Sequence, residues 1–153
     1  MTARSAGILM YKRAGSDILV LLARPGGPFW KRRDTGAWTI PKGELADGED
    51  AERGARREFR EELGVDPGEP LMPLGEIVQK AGKRVVAFAV EGDFDPAALR
   101  SNTFEIEWPP RSGRMQHFPE VDKVGWFDLA AARTKLLPAQ APLLDRLLAM
   151  LGA

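Results

Sequence analysis

Ala51, Ala55, Phe59 and Leu63 recur at every fourth residue, and Gly64 follows directly. A repeat of that period lines one side of an α-helix, and glycine ends helices without strain. The spacing therefore predicts an amphipathic helix over residues 50–63, whose apolar stripe must be covered by a second layer of structure. The same segment carries Glu58, Glu61 and Glu62 at i, i+3 and i+4. On a helix these side chains project from one side, beside the stripe and not opposite it. They should sit close to the domain body.

Carboxylates this close repel. At about 5 Å and an effective dielectric near 20, each pair costs roughly 3 kcal/mol before compensation. Water can screen them, arginines can pair with them, or a hard cation can bind. Arg53, Arg56, Arg57 and Arg60 stand on the same helix, so an ordinary solvated, ion-paired face is one reading. The other is a site for Mg²⁺ or Mn²⁺, which prefer oxygen ligands.

Strands are expected at residues 5–11 and 17–24, joined by turn residues 13–16. Residues 25–36 hold several Pro and Gly with Phe29, Trp30 and the basic Lys31, Arg32 and Arg33. A long loop of this kind inside a small domain is more often functional than idle. Residues 37–40 read as a short strand. Further strands are expected at 71–79, 84–90, 104–108 and 121–127, with a helical turn at 96–99 and a short helix at 129–135. Pro142 suits a first helical position, and Leu144, Leu147, Leu148 and Leu151 fall on one face of a last helix over 142–151.

The chain has 153 residues, 44% of them hydrophobic, and no cysteine. That length fits a single domain over residues 1–153 with a sizeable core and no need of disulfides. Thiolate nucleophiles and cysteine-based zinc sites are excluded. With 22 basic and 22 acidic residues the net charge is zero, which argues against stable nucleic-acid binding. The first apolar stretch is too short for a membrane span or a secretory leader. A cytoplasmic protein, monomer or homodimer, is the expectation.

The stretch over residues 43–65 resembles the signature box of the Nudix hydrolases. Gly43 opens it, Glu49 follows after five residues, and Arg57 and Glu58 after seven more. Phe59 fills an apolar slot that is usually aliphatic, and Glu61, Glu62, Gly64 and Val65 close the pattern. Every fixed position is matched, which is far more specific than a lone glycine motif. The resemblance implies an α/β/α sandwich with a mixed β-sheet, the box forming a loop, helix and loop within it.

It also implies a Mg²⁺-dependent enzyme that substitutes water at a phosphorus of a diphosphate linkage, with Mn²⁺ as a possible replacement. Glu58, Glu61 and Glu62 would then hold metal together with the Gly43 carbonyl. Arg57 would orient a glutamate through a charge-assisted hydrogen bond, and Glu49 would brace Arg57. The general base lies either in the box, Glu61 included, or outside it, where Glu120 is the candidate. The single histidine, His117, reads as a surface residue. Lys42 either meets a phosphate as a point charge or is an exposed lysine. Trp30, Arg32 and Arg33 either close over substrate or, in the reading favoured for Phe29 and Trp30, plug the loop into the core. Trp38 reads as core, and residues 111–114 as a second polar loop near the cleft.

The substrate class implied is a nucleoside diphosphate linked to another moiety, with nucleoside triphosphates and dinucleoside polyphosphates ahead. The Pro41-Lys42-Gly43 run is similar to branches acting on such polyphosphates. Downstream substrate markers are absent: the only tyrosine, Tyr11, lies upstream, and residues 79–82 contain no proline. The alternative is a catalytically silent Nudix-fold module that senses a nucleotide. Such modules tend to lose box glutamates, and all are present here.

Overall fold

Strand β1 (Arg4–Ala14) is buried from Ser5 to Tyr11 because it lies in the middle of the sheet. The computed structural model describes residues 4–30 and 32–152. Lys31, part of the basic loop cluster, lies outside the described residues. β1 pairs antiparallel with β2 (Asp17–Pro25) and with the short β3 (Lys42–Glu44), and parallel with β5 (Arg84–Glu91). β4 (Met72–Val78) flanks β5 and β8 (Val121–Asp128) flanks β2, giving a six-stranded mixed sheet in the order β4-β5-β1-β2-β8 with β3 beside β1. β6 (Thr103–Glu107) and β7 (Met115–Pro119) form a separate antiparallel ribbon.

Successive strand residues face opposite sides of a sheet, and β1 uses both. Ala6, Ile8 and Met10 pack with Ala55, Phe59 and Leu63 of helix α1 (Ala51–Leu63). Leu9 and Tyr11 pack on the other side with Leu136 and with Leu143, Leu144 and Leu147 of helix α3 (Pro142–Leu151). Helix α2 (Leu129–Lys135) closes that second layer through Ala132. The sheet is thus covered by helices on both faces, an α/β/α sandwich. Phe59 and Leu63 are fully buried, each worth about 1.5–3 kcal/mol of hydrophobic stabilisation.

Helix α1 begins where Asp50 accepts the Arg53 backbone N–H at 3.1 Å. It ends at Gly64, whose φ of 89° is the left-handed cap conformation glycine adopts freely. The ends are the expected ones.

Two expectations need correction. Residues 37–40 do not form a strand: Trp38 and Thr39 make isolated bridges to Leu136 and Ala23, and the strand that joins β1 is Lys42–Glu44. Pro41 has no N–H to donate and meets β1 only as an acceptor, its carbonyl taking the Ile8 N–H at 3.0 Å; the paired residues follow it. Second, β7 was not anticipated. It pairs with β6 in the register Phe104↔Phe118 and Ile106↔Gln116. The connecting loop is held by Glu107, whose carboxylate accepts the N–H groups of Arg111 (3.0 Å) and Gly113 (3.2 Å).

Candidate active site

Gly43 on β3 lies against the acidic side of α1. A β-carbon on Gly43 would come within 1.8 Å of the Glu58 carboxylate, so glycine is required for this approach of backbone to carboxylate. Glu58 and Glu62, one helical turn apart, are both buried. The Lys42 N–H donates to Glu62 Oε1 at 3.3 Å. The strand preceding the helix therefore presents its backbone to two buried carboxylates.

A third carboxylate arrives from the far end of the chain. The segment after β5 satisfies the free carbonyls at the end of α1, a common need of helix ends: Arg100 N–H donates to Leu63 O (3.2 Å) and Asn102 N–H to Glu61 O (2.8 Å). Asn102 O in turn accepts the Glu120 N–H (2.8 Å), and Glu120 O accepts the Gly26 N–H (2.9 Å). This relay fixes Glu120 beside the helix. One carboxylate oxygen each from Glu58, Glu62 and Glu120 lies within 4.8 Å of the others.

Glu61 is placed differently from its helical neighbours. Arg57 grips Glu49 through Nε (2.8 Å) and Nη2 (2.9 Å), and its Nη1 reaches Glu58 (2.8 Å) and both Glu61 oxygens (3.0 and 3.1 Å). Arg57 Nη2 also donates to Glu44 O at 3.1 Å, which ties the helix to β3. These bonds hold the Glu49 carboxyl down to about 2 and raise the Arg57 guanidinium further. The ion-paired-face reading fails for the remaining arginines. Arg56 turns to Glu52, Asp66 and Glu69, and Arg60 to Asp66. Among the described residues no basic group forms an ion pair with Glu62 or Glu120.

Burial, then the neighbouring Glu58, pushes the Glu62 carboxyl up to about 8. Burial raises Glu58 as well, and raises Glu120, with Glu61 adding repulsion there. Lys42 is lowered, first by burial and then by the adjacent Lys83. Three carboxylates packed together, of which only Glu58 has an arginine partner among the described residues, repel one another, and a divalent cation relieves that repulsion. The donor set is all oxygen, the kind Mg²⁺ and Mn²⁺ take, and Gly43 leaves room where a side chain would intrude. The residues fit such an ion.

A cavity of about 220 Å³ opens beside these groups, lined among others by Trp30, Thr39, Lys42, Glu62 and Glu120. Trp30 and Lys42, each given two readings from the sequence, both line this cavity. Arg33 stacks its guanidinium over the Trp30 ring at 5.6 Å. Arg32 is exposed and is not among the described residues lining the cavity. The plug reading is corrected for Phe29, which is 59% exposed; Trp30 is half-buried. Trp38 is core, its Nε1 donating to Asp34 at 2.9 Å. His117 is exposed, 3.2 Å from Glu105, and the 111–114 loop does not line the cavity. Lys83, beside Lys42, carried no sequence signal because its neighbours show no motif.

The structure thus sets a helix bearing buried, metal-competent carboxylates against a glycine-containing strand, on an α/β/α sandwich. The chain matches the NUDIX domain over residues 1–147 and belongs to that family. None of the curated proteins matches its sequence. Its fold is similar to the NUDIX domain of Shewanella oneidensis NrtR in complex with ADP ribose (TM-score 0.68, 16% identity, 99% of this chain and 89% of that one). It is also similar to a C. elegans Ap4A hydrolase (TM-score 0.65, 22% identity, 99% and 98%) and to a mutT/nudix family protein from Listeria innocua (TM-score 0.61, 19% identity, 98% and 94%). At these identities the likeness concerns the fold. No helix among the described residues is long and apolar enough to cross a membrane.

Proposed function

We propose that the chain is a single-domain, Mg²⁺-dependent pyrophosphohydrolase acting on a nucleoside triphosphate or dinucleoside polyphosphate. The observation that carries this reading is the convergence of Glu58, Glu62 and Glu120 beside Gly43. Glu58, Glu61, Glu62 and the Gly43 carbonyl would hold the metal. When bound, Mg²⁺ supplies neutralisation of phosphate charge and acidification of a water.

The chain's own groups divide the remaining work. Glu120 is half-buried on the cavity wall, and its raised pKa suits a base that takes a proton from the attacking water at its carboxylate oxygen. Glu61 is the competing base within the helix. Arg57 positions Glu58 and Glu61 and touches no part of the cavity. Lys42 offers its ammonium to a phosphate oxygen from the cavity wall. Trp30, backed by Arg33, covers the phosphate chain and limits water access.

The retained carboxylates favour hydrolysis over a silent nucleotide-sensing role. Incubation with nucleoside triphosphates, nucleotide sugars, ADP-ribose and dinucleoside polyphosphates with Mg²⁺, followed by mass identification of products, tests this. Release of a nucleoside monophosphate or diphosphate is expected. Tight nucleotide binding without any product in Mg²⁺ or Mn²⁺ would establish the sensing role instead.

A further inference from the structure

The β6–β7 ribbon and the loop that closes it carry three large aromatic side chains. Phe104, Trp108 and Phe118 belong to neither buried core. All are only half-buried. Phe104 and Phe118 pair across the ribbon with ring centroids 6.1 Å apart, and Trp108 meets Phe29 edge to face at 5.3 Å. A two-stranded ribbon is marginal by itself, so exposed aromatic area on it is costly unless something covers it.

Trp108 and Phe118 border a second cavity of about 520 Å³, whose walls also include Pro28, Gln116 and Asp122. That volume falls within the roughly 300–1,000 Å³ of small-molecule sites. Two aromatic rings and two prolines supply most of the lining, and two polar side chains stand among them. Gln116 spends its Nε2 on Trp108 O (2.6 Å), which leaves its carbonyl oxygen to accept. Asp122 is held in place by Arg24 through two bonds of 3.1 and 3.2 Å. Aromatic and proline walls with a few fixed polar groups suit a planar heteroaromatic ring.

The position of this cavity says what such a ring is attached to. Pro119 lines the aromatic cavity while the next residue, Glu120, lines the acidic one. On the facing segment Pro25 and Trp30 line the acidic cavity, and Gly27 and Pro28 the aromatic one. The two segments are stitched together there: Gly26 N–H donates to Glu120 O, and a β-carbon on Gly26 would strike Pro119 O at 1.8 Å. The cavities are therefore neighbours across a single seam. Trp108 and Phe118 are the aromatic side chains lining the cavity next to the one that holds Lys42 and Glu120.

We infer that the cavity between the 27–28 segment and the β6–β7 ribbon is a nucleobase slot, with Trp108 and Phe118 as specificity-determining residues. It rests on the reading of the acidic cavity as a diphosphate site. Stacking supplies most of the contact, and Gln116 and Asp122 discriminate between base edges.

Calorimetry with nucleoside 5′-monophosphates and with ribose 5-phosphate, in Mg²⁺, tests the slot. The wild-type protein is expected to bind at least one nucleotide about tenfold more tightly than ribose 5-phosphate, the scale of one base–aromatic stack. Trp108→Ala and Phe118→Leu should each close that gap while leaving ribose 5-phosphate binding unchanged. Phe118→Leu keeps the position apolar, so the test stands if Trp108→Ala does not fold. Equal binding of the two ligand types by the wild type, or a gap that survives in Phe118→Leu, overturns the slot. Turnover on diphosphate substrates is read separately. A base-dependent gap without turnover would remove the hydrolase reading and keep the slot; turnover without a gap would do the reverse.

Discussion

Arg57 holds Glu49 with both Nε and Nη2, at 2.8 and 2.9 Å, while its Nη1 touches Glu58 and Glu61. One guanidinium thereby joins the loop before α1 to the acidic face of the helix. Lysine at this position keeps the charge but not the fork. Arg57→Lys should lower divalent-metal affinity and kcat by about 10–100-fold, the usual effect of losing a group that orients metal-binding carboxylates. Metal titration by calorimetry together with steady-state kinetics checks both. An unchanged metal affinity would place Arg57 outside the site's support.

Gly43→Ala puts a methyl group where the Glu58 carboxylate now sits. The side chain must swing away or β3 must move. Activity should fall by at least about tenfold, since misplacement on the ångström scale costs up to about a hundredfold. The melting temperature should change little, because β3 is only three residues long. Kinetics and a melting curve on the same preparation separate the two effects.

Glu62 links the site to stability. Its folded-state carboxyl titrates near 8 against an ordinary 4.5, so the folded chain binds more protons than the unfolded one between those values. Its stabilising protonation is fully present below the ordinary value and is lost as pH rises through about 8. The raised carboxyls of Glu58 and Glu120 act in the same direction. Metal-free protein in chelator should therefore show a melting temperature that declines from about pH 5 to about pH 9. Glu62→Gln should flatten this decline, and Mg²⁺ should raise the melting temperature more at the alkaline end. A wild-type profile that rises over this interval in chelator would contradict the burial argument.

Gln140 is fully buried, accepting the Ile40 N–H at 2.9 Å and donating to Gln79 Oε1 at 2.9 Å. Gln140→Leu would strand a buried donor, at a cost of about 1–3 kcal/mol. For a chain of this size that is a fall of roughly 2–12 °C in melting temperature. Differential scanning calorimetry reads it directly.

Helix α1 was legible because its signals are local. A four-residue apolar repeat, an aspartate cap and a terminal glycine all lie within a short window, and so do the box residues. The strands on either side of β1 were legible for the same reason. β3 was not, because Pro41 interrupts the run and only three residues pair. β7 was not, because its polar residues read as loop until Phe104 and Phe118 are brought opposite each other. The site shows the same division. Spacing grouped Glu58, Glu61 and Glu62, but Arg57 draws Glu61 aside, and Glu120, a candidate on its position before the last strand, comes in through the 100–102 relay. The aromatic cavity was invisible, since Pro28, Trp108 and Phe118 meet only in three dimensions.

A divalent ion shared by Glu58 and Glu62 next to Gly43 would be directly visible. Manganese has a strong anomalous signal, so crystals grown with Mn²⁺ and a non-hydrolysable nucleoside triphosphate analogue locate it. An anomalous peak in contact with Glu58, Glu62 and the analogue's phosphates is expected, and no such peak in Glu62→Gln crystals. Phosphates bound in the cavity with no manganese at these carboxylates, in a preparation that hydrolyses nucleoside triphosphates at full rate, would contradict the shared ion.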